Sequence, residues 1–84
     1  MTRYEVLVEV RLRPGIADPQ GATIERALPA LGFTGISGVS VGKAFRFTVD
    51  AEDEADATTR AGELAHRLLG NPVIEDSSVH VQQP

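Results

Sequence analysis

Strict two-residue alternation in residues 3–13 is the feature that most constrains the fold. Apolar side chains take every second position, and charged side chains take most of the others. Alternation of this kind predicts a strand with one buried face, as in an antiparallel sheet that is covered on one side. The apolar face consists of Tyr4, Val6, Val8, Val10 and Leu12.

A second β pattern covers residues 36–50, in which one parity is shared without a break by Val39, Val41, Lys43, Phe45, Phe47 and Val49. A two-residue hairpin at Gly42 and Lys43 would turn Phe45 and Phe47 to the opposite face. One long strand, or two strands joined by a three-residue loop, would keep the parity, and we favour the long strand. At about 3.3 Å per residue it would span roughly 45 to 50 Å. We therefore expect its unpaired edge to pair with another copy of the chain, in at least a dimer.

The first helix is predicted to begin at Pro19 with Asp18 as its N-cap, since a capping carboxylate and a first-turn proline both suit a helix start. Pro29 lies inside the periodic region, where proline costs on the order of 3 kcal/mol, so we expect a bent or early-ended last turn. Gly32 is the predicted left-handed cap. The apolar stripe of this helix is Ile24, Ala27, Leu28 and Leu31.

The acidic residues 50–56 open a second predicted helix, because carboxylates suit the positive end of a helix dipole. Gly70 ends this helix, and residues 73–82 form a last strand. The order β-α-β(β)-α-β predicts an α+β fold in a single domain of residues 1–84. We expect a two-layer sandwich, with an antiparallel sheet, a long central strand and two helices on one face.

Composition argues against several classes of protein. The 84 residues include no cysteine, which removes disulfides and thiolate metal sites and fits a reducing, cytoplasmic location. The formal charge of −4 argues against a general nucleic-acid binder, and no signal peptide or membrane span is visible. A chain this short buries only roughly 60 to 65% of its unfolded surface, so its stability is marginal unless it assembles.

Catalytic chemistry is poorly represented in the chain. Residues 38–43 resemble a phosphate loop only superficially, because three rather than four residues separate the glycines and Ala44 follows the lysine. His66 and His80 have no carboxylate or second histidine at ligand spacing. We therefore expect no catalytic residue and no bound metal, in a chain that holds other proteins together.

Three turns carry the candidate contact residues. Nothing local requires Gln20, and Gly21 near a helix start is unfavourable by roughly 1 kcal/mol relative to alanine. A small residue there would allow another backbone to approach closely, and Gly42 in the second turn has a similar interpretation. The predicted contacts to other proteins are Asp18, Gln20, Gly21, Gly42, Lys43, Asn71 and Glu75.

Read together, these segments resemble the PurS family, the small subunit of phosphoribosylformylglycinamidine (FGAM) synthase. Each motif is short and weak alone, but their joint occurrence in this order is fairly specific. Ile16, Ala17, Pro29 and Ser77 depart from the commoner family pattern. The matching stretches are residues 12–21, 27–28, 31–33, 39–43 and 68–75.

The resemblance implies a non-catalytic subunit in de novo purine biosynthesis. Such a subunit forms a homodimer or a larger homo-oligomer, bridges a glutaminase subunit and a large synthetase subunit, and supports ammonia transfer between them. The complex uses ATP, Mg and glutamine, whereas this chain is expected to bind no cofactor. The alternative is a stand-alone small-molecule-sensing regulatory domain of similar topology, with its ligand at the turns of residues 32–38.

Overall fold

The structure, a computed structural model, describes residues 1–83. The predicted α+β class is confirmed, with a three-stranded antiparallel sheet, two helices and the order β-α-β-α-β. No helix in this described part is long and apolar enough to cross a membrane. The elements are β1 Thr2–Leu12, α1 Pro19–Ala27, β2 Gly42–Ala51, α2 Glu54–Leu64 and β3 Glu75–Gln82.

The sheet has β1 at its centre, with β2 and β3 antiparallel on either side. The register places Val8 opposite both Phe45 and Val79, so the alternating apolar side chains of all three strands lie on the same face of the sheet. α2 packs on this face, and a π-helical turn, Ala65–Leu69, continues it toward the start of β3. The other face of the sheet is open and mostly polar.

The core between α2 and the sheet is small. Val8 and Val10 are its largest fully buried side chains, and the helix contributes only alanines. Alanine at these positions allows the helix backbone to lie close to the strands. The buried apolar residues are Tyr4, Val6, Val8, Val10, Ala51, Ala57, Ala61 and Ala65.

The predicted long strand is wrong in its first part, because β2 begins only at Gly42. It is also an edge strand rather than the central one. Arg11 lies opposite Gly42 and Thr2 lies opposite Ala51, so β1 covers the whole length of β2. The predicted pairing between copies depended on an unpaired overhang of this strand, and that overhang is therefore absent. The alternative three-residue loop is absent as well, because β2 is one continuous strand.

The backbone before β2 explains the shorter strand. Gly35 and Gly38 have φ angles of 78° and 71°, in the left-handed region that interrupts an extended chain. The backbone N–H groups of Val39 and Val41 donate to carboxylates of the first helix region instead of to a neighbouring strand. These two N–H groups are bound to side chains and are therefore not available to a β ladder.

The end of α1 agrees with the prediction for Pro29. The α-helix ends at Ala27, and a 3₁₀ turn, Pro29–Leu31, replaces its last turn. Gly32 closes this turn with φ 85°, as predicted for a left-handed cap. The N–H of Gly32 donates to the carbonyl of Pro29, which satisfies one of the exposed carbonyl groups.

The position of α1 differs from the predicted sandwich. Only α2 packs extensively on the sheet, whereas α1 contacts the 3₁₀ turn that follows it and residues 39–41. Its apolar stripe is therefore left largely uncovered in the single chain. Ile24 and Leu31 retain 46% and 69% of their accessible surface.

We expect Val8→Ala to lower the free energy of unfolding by about 2 kcal/mol, because it removes two buried methyl groups and leaves a cavity. Urea denaturation followed by circular dichroism measures this change. Val73→Ala is the matched control, since Val73 is 78% exposed and its truncation should change stability by less than about 0.5 kcal/mol. Equal losses in the two variants would show that Val8 is not the centre of the core.

Candidate functional site

The three turns that the sequence singles out lie at one end of the sheet. β2 and β3 both begin where β1 ends, because Gly42 lies opposite Arg11 and Glu75 lies opposite Leu12. We call residues 18–21, 39–43 and 71–75 the turn cluster. Hydrogen bonds and one ion pair link the segments of the turn cluster to one another.

Asp18 connects the first two segments of the turn cluster. Its Oδ1 atom accepts a hydrogen bond from the N–H of Gly21 at 2.9 Å, and its Oδ2 atom accepts one from the N–H of Val41 at 2.8 Å. These two donors hold the pKa of Asp18 below its ordinary value of 3.8, because they stabilise the ionised carboxylate. The predicted N-cap is confirmed, and the same side chain also binds the segment of chain that leads into β2.

Glu25 makes a second connection of the same kind. Its Oε1 atom accepts a hydrogen bond from the N–H of Val39 at 2.9 Å. Sequence reasoning missed this residue, although a signal was present. Glu25 follows Asp18 by seven residues, which is two helical turns, so both carboxylates fall on one side of α1.

Two glycines of the turn cluster are in close contact with backbone. A Cβ atom on Gly21 would overlap the carbonyl oxygen of Val39, and one on Gly42 would lie 2.6 Å from the carbonyl oxygen of Val10. Real Cβ atoms essentially never come closer than 3.0 Å to such atoms. Both glycines were predicted to allow close approach, and the approaching backbone is in each case that of the same chain.

Lys43 extends from the start of β2 toward Glu75 at the start of β3. Its Nζ atom lies 3.9 Å from Glu75 Oε2 and 6.0 Å from the centre of the Phe45 ring. The Lys43 side chain is 55% exposed, and an ion pair with such an exposed partner adds little to stability. The ammonium group therefore remains accessible to another protein.

Asn71 and Glu75 close the third segment. Glu75 Oε1 accepts a hydrogen bond from the N–H of Asn71 at 2.6 Å, and Asn71 Oδ1 accepts one from the N–H of Val73 at 3.1 Å. The backbone N–H of Glu75 also donates to the carbonyl of Asn71 at 2.8 Å. The turn is thus fixed by its own side chains.

Arg13 is a further residue that sequence reasoning missed. Its guanidinium donates to the carbonyl of Pro72 at 2.6 Å and pairs with Asp76 at 3.2 Å. These contacts attach the end of β1 to the third segment of the turn cluster. No local sequence signal identifies them, because they depend on the register between β1 and β3.

Gln20 is the member of the turn cluster with the least structural explanation. It is exposed at the first turn of α1, and among residues 1–83 its side chain has no hydrogen-bond partner. Contacts of Gln20 and the other six candidates with separate proteins stay a prediction. Gln20 and Lys43 are exposed polar members of the turn cluster, so their side chains are accessible for such contacts.

The histidine and carboxylate side chains are the possible metal ligands of the described region. Within residues 1–83, no three His, Asp or Glu side chains converge in a way that could hold a metal ion. His80 lies on the open face of the sheet, where its Nε2 atom is 3.0 Å from Glu9 Oε1, and His66 is exposed beyond α2. The carboxylates of the turn cluster hold backbone N–H groups in place.

Comparisons with known proteins identify one family. The PurS family model, described as phosphoribosylformylglycinamidine (FGAM) synthase, matches residues 5–83. The FGAM synthase subunit PurS of Mycobacterium leprae is 47% identical over 73 residues, which is 87% of this chain and 89% of that protein.

Two solved structures have the same fold. The PurS crystal structure from Methanocaldococcus jannaschii has a TM-score of 0.85 and 33% identity, and the match covers 96% of this chain and 98% of that one. A chain in the structure of PurLQS from Thermotoga maritima has a TM-score of 0.88 and 29% identity, with 98% and 100% covered. Similarity therefore extends over nearly the whole length of each chain.

We expect Gly21→Ala to lower the melting temperature, because the added Cβ atom would overlap the carbonyl oxygen of Val39. Gly62→Ala is the matched control, since Gly62 lies inside α2 and nothing lies within 4 Å of its added Cβ atom. That control should raise stability by roughly 0.5 to 1 kcal/mol through helix propensity. Differential scanning calorimetry of both variants tests the contrast, and stabilisation by both would contradict the close approach at Gly21.

We expect Asp18→Asn to lower the melting temperature at neutral pH, because asparagine has one acceptor oxygen for the two N–H groups that Asp18 binds. Since folding lowers the pKa of Asp18, the stabilisation by its carboxylate is present above the unfolded pKa and is lost as the pH falls through the folded pKa. The difference between wild type and variant should therefore disappear in strong acid.

Melting curves from neutral to strongly acidic pH measure this dependence. Asp53→Asn is the control, because Asp53 caps α2 by accepting one N–H, from Asp56, and asparagine caps helices nearly as well. A loss of stability that is the same at every pH would indicate that the charge of Asp18 has no role.

Proposed function

The chain belongs to the PurS family of FGAM synthase subunits, and we propose that it bridges the glutaminase and the large synthetase subunits of that enzyme. FGAM synthase is a ligase of purine biosynthesis, in which the glutaminase releases ammonia from glutamine and the synthetase inserts it. In this proposal the small subunit supports the transfer of ammonia and carries out no bond-making step itself. ATP, Mg and glutamine are bound by its partners, in the cytoplasm.

The match to a chain in the structure of PurLQS from Thermotoga maritima is the observation that carries this proposal. The match covers 98% of this chain and 100% of that one. A chain that is similar throughout to a component of such an assembly is suited to the same position. The M. jannaschii relative is likewise described as one subunit of formylglycinamide ribonucleotide amidotransferase.

The arrangement of the turn cluster supports an assembly role. Asp18 and Glu75 bind backbone N–H groups and so give the surface a fixed shape. Gln20 and Lys43 extend from this fixed surface with exposed side chains. We propose that these two residues contact the larger subunits, whereas Gly21, Gly42 and Asn71 set the shape of the surface that is contacted.

A second copy of the chain is part of the same proposal. The described chain is elongated, with extents of 52 × 28 × 15 Å, and leaves large apolar side chains exposed on α1 and beyond. Homo-oligomer formation would cover such side chains. A homodimer is the smallest assembly that does so.

We expect the purified chain alone to have neither glutaminase nor synthetase activity. Mixed with the glutaminase and synthetase subunits from the same organism, it should restore glutamine-dependent FGAM formation. Activity with added ammonia distinguishes a loss of bridging from a loss of synthetase activity, because a synthetase that receives free ammonia does not need the bridge. Full glutamine-dependent turnover by the two larger subunits without this chain would refute the proposal.

In the same assay, Gln20→Ala and Lys43→Ala should raise the concentration of this subunit that is needed for half-maximal glutamine-dependent activity, with little change in melting temperature. Gln82→Ala is the matched control, because Gln82 ends β3 at the opposite end of the sheet from the turn cluster. Equal behaviour of all three variants would place the contact surface elsewhere.

A further inference from the structure

A groove on the open face of the sheet, which we call the sheet groove, crosses all three strands. Its volume is about 490 Å³, and cavities that bind small molecules commonly measure about 300 to 1,000 Å³. The antiparallel register explains its position, because two neighbouring rows of open-face side chains line it and each row takes one residue from each strand. The two rows are Thr48, Glu5 and Gln82, and then Arg46, Leu7 and His80.

Most of the polar side chains in the sheet groove have no partner in the described chain. Within residues 1–83, no hydrogen bond or ion pair involves the side chains of Glu5, Thr48, Arg46 and Gln82. The charges next to the groove are paired instead. On one side, Arg3 pairs with Asp50 at 3.5 Å. On the other side, Nε2 of His80 lies 3.0 Å from Oε1 of Glu9. One carboxylate and one guanidinium are therefore left free inside the groove.

The two free charges are neighbours but form no ion pair with each other. Thr48 lies directly opposite Glu5, so Arg46, two residues before Thr48, is a diagonal neighbour of Glu5. Diagonal positions in an antiparallel pair are about 7 to 8 Å apart. Leu7, which is half-buried and lies opposite Arg46, gives the groove an apolar floor beside both charges. A molecule with two opposite charges and an apolar group can contact all three side chains at once.

An α-amino acid in its zwitterionic form has all three of these features. Its carboxylate would accept parallel hydrogen bonds from the guanidinium of Arg46, with the hydroxyl of Thr48 beside it on the same strand. Its ammonium group would donate to Glu5 and to the side-chain oxygen of Gln82, which lies opposite Glu5. An aliphatic side chain would then cover Leu7. Every unpartnered polar side chain of the groove gains a partner in this arrangement.

We propose that the sheet groove binds a free α-amino acid with an aliphatic side chain. Glu5 would repel a simple anion and Arg46 would repel a simple cation, so neither of these matches the groove. The groove lies away from the turn cluster, which is at the end of the sheet where β2 and β3 begin. The inference therefore goes beyond the proposed function and does not rest on it. A ligand held by side chains of all three strands would also stabilise the folded chain.

Nuclear magnetic resonance titration of the full chain with L-leucine tests the site directly. We expect saturable shifts of the backbone amide signals, centred on Glu5, Leu7 and Arg46. Isocaproate and isopentylamine are the matched probes, because each has the side chain of leucine and only one of its two charged groups. Each should bind about tenfold more weakly than L-leucine, since one charge-assisted contact is lost.

Two variants that each remove one charge test the residues. Glu5→Gln and Arg46→Gln should each weaken the binding of L-leucine about tenfold, with little change in melting temperature because both side chains are exposed. Arg46→Gln should not weaken the binding of isopentylamine, because that probe lacks the carboxylate that Arg46 binds. Arg3→Gln is the matched control, since Arg3 lies on the same face but pairs with Asp50 outside the groove. It should bind L-leucine like wild type.

The outcomes separate this inference from the proposed function. The absence of a saturable shift with L-leucine, or equal weakening by Arg3→Gln, would overturn the amino-acid site. Isocaproate or isopentylamine that binds as tightly as L-leucine would indicate a site for a single charge and would overturn it as well. Bridging is tested by the glutamine-dependent assay with the larger subunits, which none of these results changes. Failure of that assay would in turn leave the amino-acid site intact.

Discussion

The rest of the structure depends on the two carboxylates that hold the segment before β2. Asp18 binds the N–H of Val41, and Glu25 binds the N–H of Val39. These bonds take the donors that would otherwise extend β2 toward residue 36, and they fix α1 to that segment. Because the segment joins β2 at the end of the sheet, the same bonds hold α1 away from the sheet. One local constraint thus gives the chain a short edge strand, a first helix that lies away from the sheet and a fixed set of turns.

The cost of this arrangement is a small core. Only α2 covers the sheet extensively, with alanines against valines and one tyrosine. A chain of 84 residues has little apolar surface to bury even when it is compact. This one also leaves the apolar stripe of α1 uncovered. This exposed stripe follows from the same geometry that places the turns, so the proposed assembly would also add to the stability of the chain.

The turn cluster agrees with a role that is structural rather than chemical. Its carboxylates are engaged with backbone N–H groups, and its glycines lie against backbone carbonyls. Such a surface has a definite shape and few flexible parts. A subunit with the proposed bridging role would need this property more than it needs reactive groups. Membership of the PurS family and the rigid turns therefore support the same description of the chain.

The sequence by itself determined the elements whose causes are local. Alternation specified β1, the Asp18 cap and Pro19 specified the start of α1, and Pro29 specified its early end. The same motifs identified the family and the turns. Only the tertiary structure decided where β2 begins and where α1 lies, since both depend on bonds from Asp18 and Glu25 to residues 14 to 23 positions away. The contacts of Arg13 and Lys43 also depended on the register of the three strands. The periodicity of one segment does not show which residues of another segment its side chains will contact.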